Sequence, residues 1–518
     1  MSDESKKVTS TRRVFNPSPN PGLRFENFRK TCDNGFGDPY NAFAHSMAWC
    51  KGHLYVGTTR ANFQTARAME SVYSRGNALK VWPVDGPDTI EDLYRTVDRR
   101  AHIWRYNPVT EEWKLVYRSP ALAGENGLII PREMGYRGMV VFQGETDPEP
   151  TLYVSTWAPS KVEKGSLILR LVDKEHFEEV THSRMVSNGK RFPSQRVAFA
   201  FKDRVFFAPT GAGGINANRS ELPFIFTTRN IENGPWEVAC EPGFGDAGNA
   251  SIIACAASED HLYAGTYNLE GYQVWMSDCS GDPPFRWKKL IEKGAYRGPC
   301  NQIASTLSFF KGALYVGSSI QGAGYDSEHN IGPAGSELVR VFPDGHWDLI
   351  VGERRNTPDG YKEPLSFIGS GFGSMFNGYF WWSAVHDEWL YVGTCNQNSL
   401  MLYWISRDRL KPRARQLLER VTIERIIASE TGAELWRSAD GENWLPVNRR
   451  GFDNPYNMGF RSMASTPYGL FVGTANPFSP KVAVQRQGEW TYIDNPAGGT
   501  EIWRGSLDYN SNHENNPA

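Results

Sequence analysis

The pentapeptide LYVGT at Leu54–Thr58 decides how this chain is read, because it recurs. It returns as LYVST at Leu152, VFFAP at Val205, LYAGT at Leu262, LYVGS at Leu314, LYVGT at Leu390 and LFVGT at Leu470. Subtraction gives intervals of 98, 53, 57, 52, 76 and 80 residues between those leading residues. A unit of about 50–55 residues carrying insertions of unequal length accounts for them, a period known for strand-built repeats. Short runs of β-branched and aromatic residues bounded by turns read as strands.

Working outward, each copy follows an apolar segment and a turn, as in HSMAWCKG before Leu54 and ASTLSFFKG before Ala313. A third segment follows, such as HIWRY (His102–Tyr106), QVWMS (Gln273–Ser277) or ELWRS (Glu434–Ser438). A fourth carries a large aromatic: Trp113, Phe177, Trp236, Trp287, Trp347 and Trp444. Four aromatic-rich strands per unit predict an all-β, seven-bladed β-propeller, with the aromatics filling the outward-widening wedges. The seventh unit ends at its third strand, Glu501–Gly505, and the segment Arg24–Asn41 aligns with Asn443–Asn457. The N-terminal strand is therefore expected to complete the last blade and remove the free edges. This makes 21–506 one domain with insertions at about 59–101, 395–433 and 475–500, between a disordered tail at 1–20 and a C-terminal tail at 507–518.

Composition agrees. Trp 17, Tyr 22, Phe 28 and Gly 50 in 518 residues suit short strands and tight turns. With Lys+Arg 56 against Asp+Glu 58, the net charge of −2 argues against bulk-charge binding of nucleic acid. No run of about 18 apolar residues predicts a membrane helix. MSDESKKVTSTRR at the start has no apolar signal core, and the seven scattered cysteines form no CxxC, so reduced thiols in the cytoplasm are expected.

SADGENW (Ser438–Trp444) resembles the Asp-box turn of sialidases and related propellers, although Asp440 and Gly441 are adjacent where that repeat is spaced differently. SDCSGDPPFRW (Ser277–Trp287) is a looser echo. The resemblance implies the propeller fold and is silent on activity.

Aligned positions locate a candidate site. Nine residues before each LYVGT start lie His45, Arg196, Ile253, Ser305, Trp381 and Arg461, and matching YRGMVV to AHSMAW adds Arg137. These positions should encircle the channel mouth. Three arginines there suit a clamp for carboxylate, sulfate or phosphate, similar in idea to the arginine triad of sialidases. The competing reading is packing and salt bridging between blades. Four residues earlier come Asn41, Asn249, Asn301, Asn377 and Asn457, whose repetition points to turn capping. Glu133 and Phe192 are the exceptions in that set, and Glu133 is expected beside the arginines. Glu133, His45 and Tyr136 are the candidate acid–base residues. Arg60, Trp157, Tyr267, Asn268, Asn396 and Asn476 follow second strands and are further candidate substrate contacts. No metal and no cofactor are expected, since the ten histidines do not recur at one position and no dinucleotide or P-loop motif occurs; GAGG at Gly211–Gly214 is a weak signal.

Helical patterns in IEDLYRTVDRRAHIW (90–104) and in 407–430, rich in Arg and Glu, suggest helical insertions on the top face, forming a lid or a docking surface for a protein partner at 400–425. The preferred function is an enzyme, a hydrolase, lyase or isomerase, acting on a small or medium anionic substrate in a lidded pocket. The alternative is a non-catalytic propeller module binding a peptide, glycan or metabolite, or a protein-interaction scaffold.

Overall fold

The turn before each LYVGT copy explains why it pairs with the segment ahead of it. Lys51–Gly52, Lys311–Gly312 and Asp387–Glu388 each place two consecutive residues at positive φ. Two left-handed residues match the twist of a tight hairpin. In the computed structural model the described residues are 20–509 apart from 33, 70–78, 160, 163, 164, 181–191, 212–216, 219, 220, 323, 327, 328, 405–419, 421, 423, 424 and 426–430. The basic run Arg407–Arg415 and most of the GAGG segment fall outside them, as do nearly all of the two tails.

The protein is all-β, with 46% of residues in strands and 11% in helices. Strand pairing groups 28 strands into four-stranded antiparallel units. In the first, Asn41–Cys50, His53–Arg60, His102–Asn107 and Glu112–Arg118 pair in order. The same meander recurs from Gly135–Phe142 to Phe177–Val180 and from Ser194–Phe201 to Glu237–Val238. It recurs from Asn249–Ala257 to Lys288–Ile291 and from Ile303–Phe310 to Trp347–Val351. A sixth unit runs from Asn377–His386 to Leu445–Asn448. In the last, Gly459–Thr466, Gly469–Ala475 and Ile502–Gly505 are followed by Phe28–Cys32 from the other end of the chain.

Neighbouring units meet along their first two strands, through bridges such as Thr59 with Gly135, Ser319 with Tyr379 and Ala475 with Phe43. The third and fourth units are joined by the Asn218 N–H donating to the Ala250 carbonyl at 2.7 Å and by a shared apolar core. The glycine of the repeat is needed for this approach. A Cβ on Gly265 would lie 2.6 Å from Ala304 Cβ, and one on Gly393 would lie 2.6 Å from Phe460 Cβ, both in the next unit. No side chain fits at such distances. The motif therefore records packing between units.

The turns entering the first strands are also structural. Phe36, Phe244, Phe372 and Phe452 adopt φ of 62°, 54°, 55° and 56°. Each stacks on a tryptophan of its own unit: Trp104, Trp275, Trp436 and Trp503, at centroid distances of 4.7, 4.9, 4.4 and 4.6 Å. Such contacts, each on the order of 1 kcal/mol, offset the cost of a non-glycine residue at positive φ. Outer-strand aromatics close the same clusters, with Trp113, Trp287 and Trp444 lying 4.8, 5.2 and 5.4 Å from those phenylalanines.

In the first insertion the helix is shorter than the sequence expectation. The helix expected over 90–104 covers only Ile90–Thr96, started by Thr89, whose hydroxyl accepts from the Asp92 N–H. His102–Asn107 is the third strand of its unit, as the HIWRY pattern indicated. The seventh insertion is a hairpin, Lys481–Arg486 with Glu489–Asp494. Insertions of the first, sixth and seventh units nevertheless pack on one another: Phe63, Tyr403, Phe478 and Val482 share one apolar cluster with Trp381. The Tyr403 hydroxyl donates to the Ala483 carbonyl at 3.1 Å and Gln64 Nε2 to the Ser479 carbonyl at 2.6 Å. Among the described residues no helix is long and apolar enough to cross a membrane.

Candidate functional site

All seven first strands carry the same irregularity. Pairing with the second strand skips the same aligned residue in each: His45, Arg137, Arg196, Ile253, Ser305, Trp381 and Arg461. A skipped residue is a β-bulge, which leaves the ladder and re-aims its side chain. All seven bulge residues line one cavity of about 180 Å³. Trp157, Phe43, Tyr379, Ile303, Ser319 and Asn62 complete its wall. The constant register of the bulge is what the nine-residue count detects. Phe43, Ile303 and Tyr379 sit two residues before bulge positions and face the same way by strand alternation. That period-two signal was available in the sequence.

Arg137, Arg196 and Arg461 therefore converge, with His45, in a space lined by no carboxylate among the described residues. Aromatic faces support the cations. Arg137 Cζ lies 4.1 Å from the Trp157 ring centroid, and Arg461 Cζ lies 5.2 Å from Trp381 and 5.8 Å from Trp382. Arg137 Nη1 also reaches the Thr210 hydroxyl at 3.4 Å. Burial lowers the pKa of all three guanidiniums, and repulsion by Arg196 adds to the effect on Arg137 and Arg461. Burial, then Arg461, Arg137 and Arg196, push His45 well below the usual histidine value. His45 is thus a neutral imidazole whose Nδ1 has no hydrogen-bond partner.

Other candidates lie elsewhere. Arg60 does not line the cavity; it is buried against Asp38 at 2.8 Å and donates to Asn41 Oδ1 at 3.0 Å. Asn268, Asn396 and Asn476 occupy the equivalent place and donate to Asn249, Asn377 and Asn457 at 3.1, 3.1 and 3.2 Å. Those repeated asparagines in turn donate to the glycine carbonyls of the entry turns, as Asn457 does to Gly451 at 2.9 Å. These side chains hold a turn to a strand end. Tyr267 packs behind the wall with Ile253 and Ile303. Tyr136 is fully buried, its hydroxyl 3.5 Å from the Ala101 carbonyl.

Glu133 is also outside the arginine cavity. It precedes the strand Gly135–Phe142 and opens into a second cavity with Arg132. The bulge turns Arg137 inward, whereas Glu133, ahead of the strand, is not under that constraint. Aligning it with the repeated asparagines located its turn, not its direction.

Among the described residues no group of three or more His, Cys, Asp or Glu side chains is placed to hold a metal ion. The seven cysteines are free. Ser438–Trp444 forms a tight turn in which Asp440 accepts from the Glu442 and Asn443 N–H groups at 2.9 and 2.8 Å, with Trp444 buried beneath.

No protein-family model matches the chain, and no curated protein matches it in sequence. Among solved structures it is similar to the GH74 xyloglucanase from Xanthomonas campestris, at 12% identity over 90% of this chain and 56% of that one, with a TM-score of 0.40. A putative 6-phosphogluconolactonase from Bacteroides fragilis is 9% identical over 79% of this chain and 95% of its own, with a TM-score of 0.33. A thermostable family-43 glycoside hydrolase is 11% identical over 62% and 96%, with a TM-score of 0.29. Likenesses this weak assign neither activity nor substrate.

Proposed function

We propose that the seven four-stranded units are blades of one propeller spanning about residues 21–506, and that its axial cavity binds and turns over a small anionic substrate. The observation that carries this reading is the convergence of Arg137, Arg196 and Arg461 on one small space that, among the described residues, no carboxylate lines. Like charges gathered in a poorly solvated space are costly, and a bound anion removes that cost. A cavity of about 180 Å³ is close to one of about 150 Å³ that accommodates benzene. It suits a small carboxylate or phosphate compound better than a peptide or glycan chain.

The chemistry is proton transfer at that anion, with hydrolysis as the best fit. Two guanidiniums hold the anionic group in bidentate fashion. The third faces the charge that develops when water adds to an ester or lactone carbonyl. His45, kept neutral by its surroundings, takes the proton from the attacking water and returns it to the leaving oxygen. Glu133 and Tyr136 have no part in this step.

The test is calorimetric titration of phosphate, sulfate and small carboxylates, followed by a turnover screen of small anionic esters and lactones. His45→Asn should keep binding and lose turnover at least a hundredfold. Arg137→Met and Arg196→Met should each lose binding. A His45→Asn protein that retains full turnover rules out the proton-transfer role, and unchanged binding in the arginine variants rules out the clamp.

A further inference from the structure

The second cavity, of about 420 Å³, lies between the first and second units. Its floor is Arg132 and Glu133, which are 7% and 1% exposed. Both carry an orphaned polar atom: Arg132 Nη2 and Glu133 Oε2 have no hydrogen-bond partner. Unmet groups at such depth are rare, because each one costs on the order of 1–3 kcal/mol. The two residues only partly satisfy each other, with Arg132 Nη1 3.8 Å from Glu133 Oε1, while Nη1 donates to the Gly165 carbonyl at 2.9 Å. Leu122, Val162, Leu167 and Leu169 with the Tyr117 ring form an apolar part of the wall.

We propose that this cavity is a binding site for a free α-amino acid with a large apolar side chain. The floor asks for a donor at Glu133 and an acceptor at Arg132 only a few ångströms apart. An α-ammonium and an α-carboxylate provide both on one small molecule. The remaining volume is bounded by leucine and valine side chains and matches an aromatic or branched side chain. Lys161 and Glu179 also line the space. Burial lifts the Glu133 carboxyl to about 7 despite the nearby Arg132, and a ligand ammonium would add a closer counter-charge that favours its ionised form. This site is independent of the axial cavity and of the reaction assigned there.

The test is titration calorimetry of the full chain with L-phenylalanine, L-phenylalaninamide and 3-phenylpropionate. Phenylalanine should bind at least tenfold tighter than either analogue, which lack the carboxylate and the ammonium respectively. Glu133→Gln, nearly isosteric, should weaken phenylalanine at least tenfold, and Leu122→Trp, at the partly exposed wall, should block it without touching the floor. Arg461→Met should leave phenylalanine binding unchanged, which separates the two sites. No heat with any amino acid at 10 mM, equal binding of phenylpropionate, or binding unaffected by both Glu133→Gln and Leu122→Trp would each overturn the proposal.

Discussion

Replacing Arg461 by Met tests the energetic logic of the axial cavity. Met keeps most of the stem volume that packs on Trp381 and Trp382 and deletes the charge. Two guanidiniums on the order of 8 Å apart at an effective dielectric of about 20 repel by about 2 kcal/mol. Arg461 faces two such neighbours, Arg137 and Arg196. Its removal therefore relieves about 4 kcal/mol, against about 2 kcal/mol lost with the desolvated cation–π contacts. The net is roughly 2 kcal/mol of added stability in the absence of an anion. At about 2.1 cal/mol/K per residue, a chain of this length moves by about 1 °C per kcal/mol. The expected rise is thus about 2 °C in differential scanning calorimetry at low salt in a zwitterionic buffer. With phosphate at a hundred times its dissociation constant the wild type should gain about 2.7 kcal/mol and the variant almost nothing. A variant that melts several degrees lower in anion-free buffer, and still gains from phosphate, would show that Arg461 is a strut between units.

Further outcomes follow from other parts of the structure. Asn457→Ala removes donors to Gly451 and, at 2.6 Å, to the buried Glu501; it should cost about 2–3 kcal/mol while anion affinity stays constant. His45 has a folded pKa depressed below its unfolded value near 6.5, so its contribution to stability is complete above that pH and is lost as the solution is acidified towards the folded value. His45→Asn should flatten the acid limb of the melting-temperature profile, and a bound anion should do so in part. Glu133 shifts the other way, from 4.5 to about 7, so stability is complete below pH 4.5 and falls as pH rises through 7. Glu133→Gln should match wild type near pH 4.5 and exceed it at pH 8 by about 3 kcal/mol. Deleting residues 1–32 unpairs Ile502–Gly505. It should lower the melting temperature and promote association in sedimentation velocity.

The units were legible because packing wrote them into the sequence. Gly265 and Gly393 must be small for the next unit to approach, and Phe244 and Phe372 must meet tryptophans. The same constraints therefore recur at the same offset. The arginine cavity was legible for a related reason: a bulge at constant register gives a fixed count back from LYVGT. What counting could not supply was direction outside the bulge. Arg60 and Asn476 occupy strand ends near the mouth, yet point to Asp38 and Asn457. Glu133 lies four residues from Arg137 but opens into another cavity. Helical spacing and strand alternation overlap at His102–Trp104, which read both as the end of a helical pattern and as the start of a third strand; the strand is what forms, through pairing with His53–Arg60.

The central claim is that the axial cavity is an anion site. It is tested most directly by a crystal structure of the protein soaked in bromide or selenate, with data collected at the absorption edge of the scatterer. The account predicts one strong anomalous peak among Arg137, Arg196 and Arg461, lost in Arg461→Met crystals. A cavity holding only water at saturating anion, with scatterers confined to the outer surface, would contradict it.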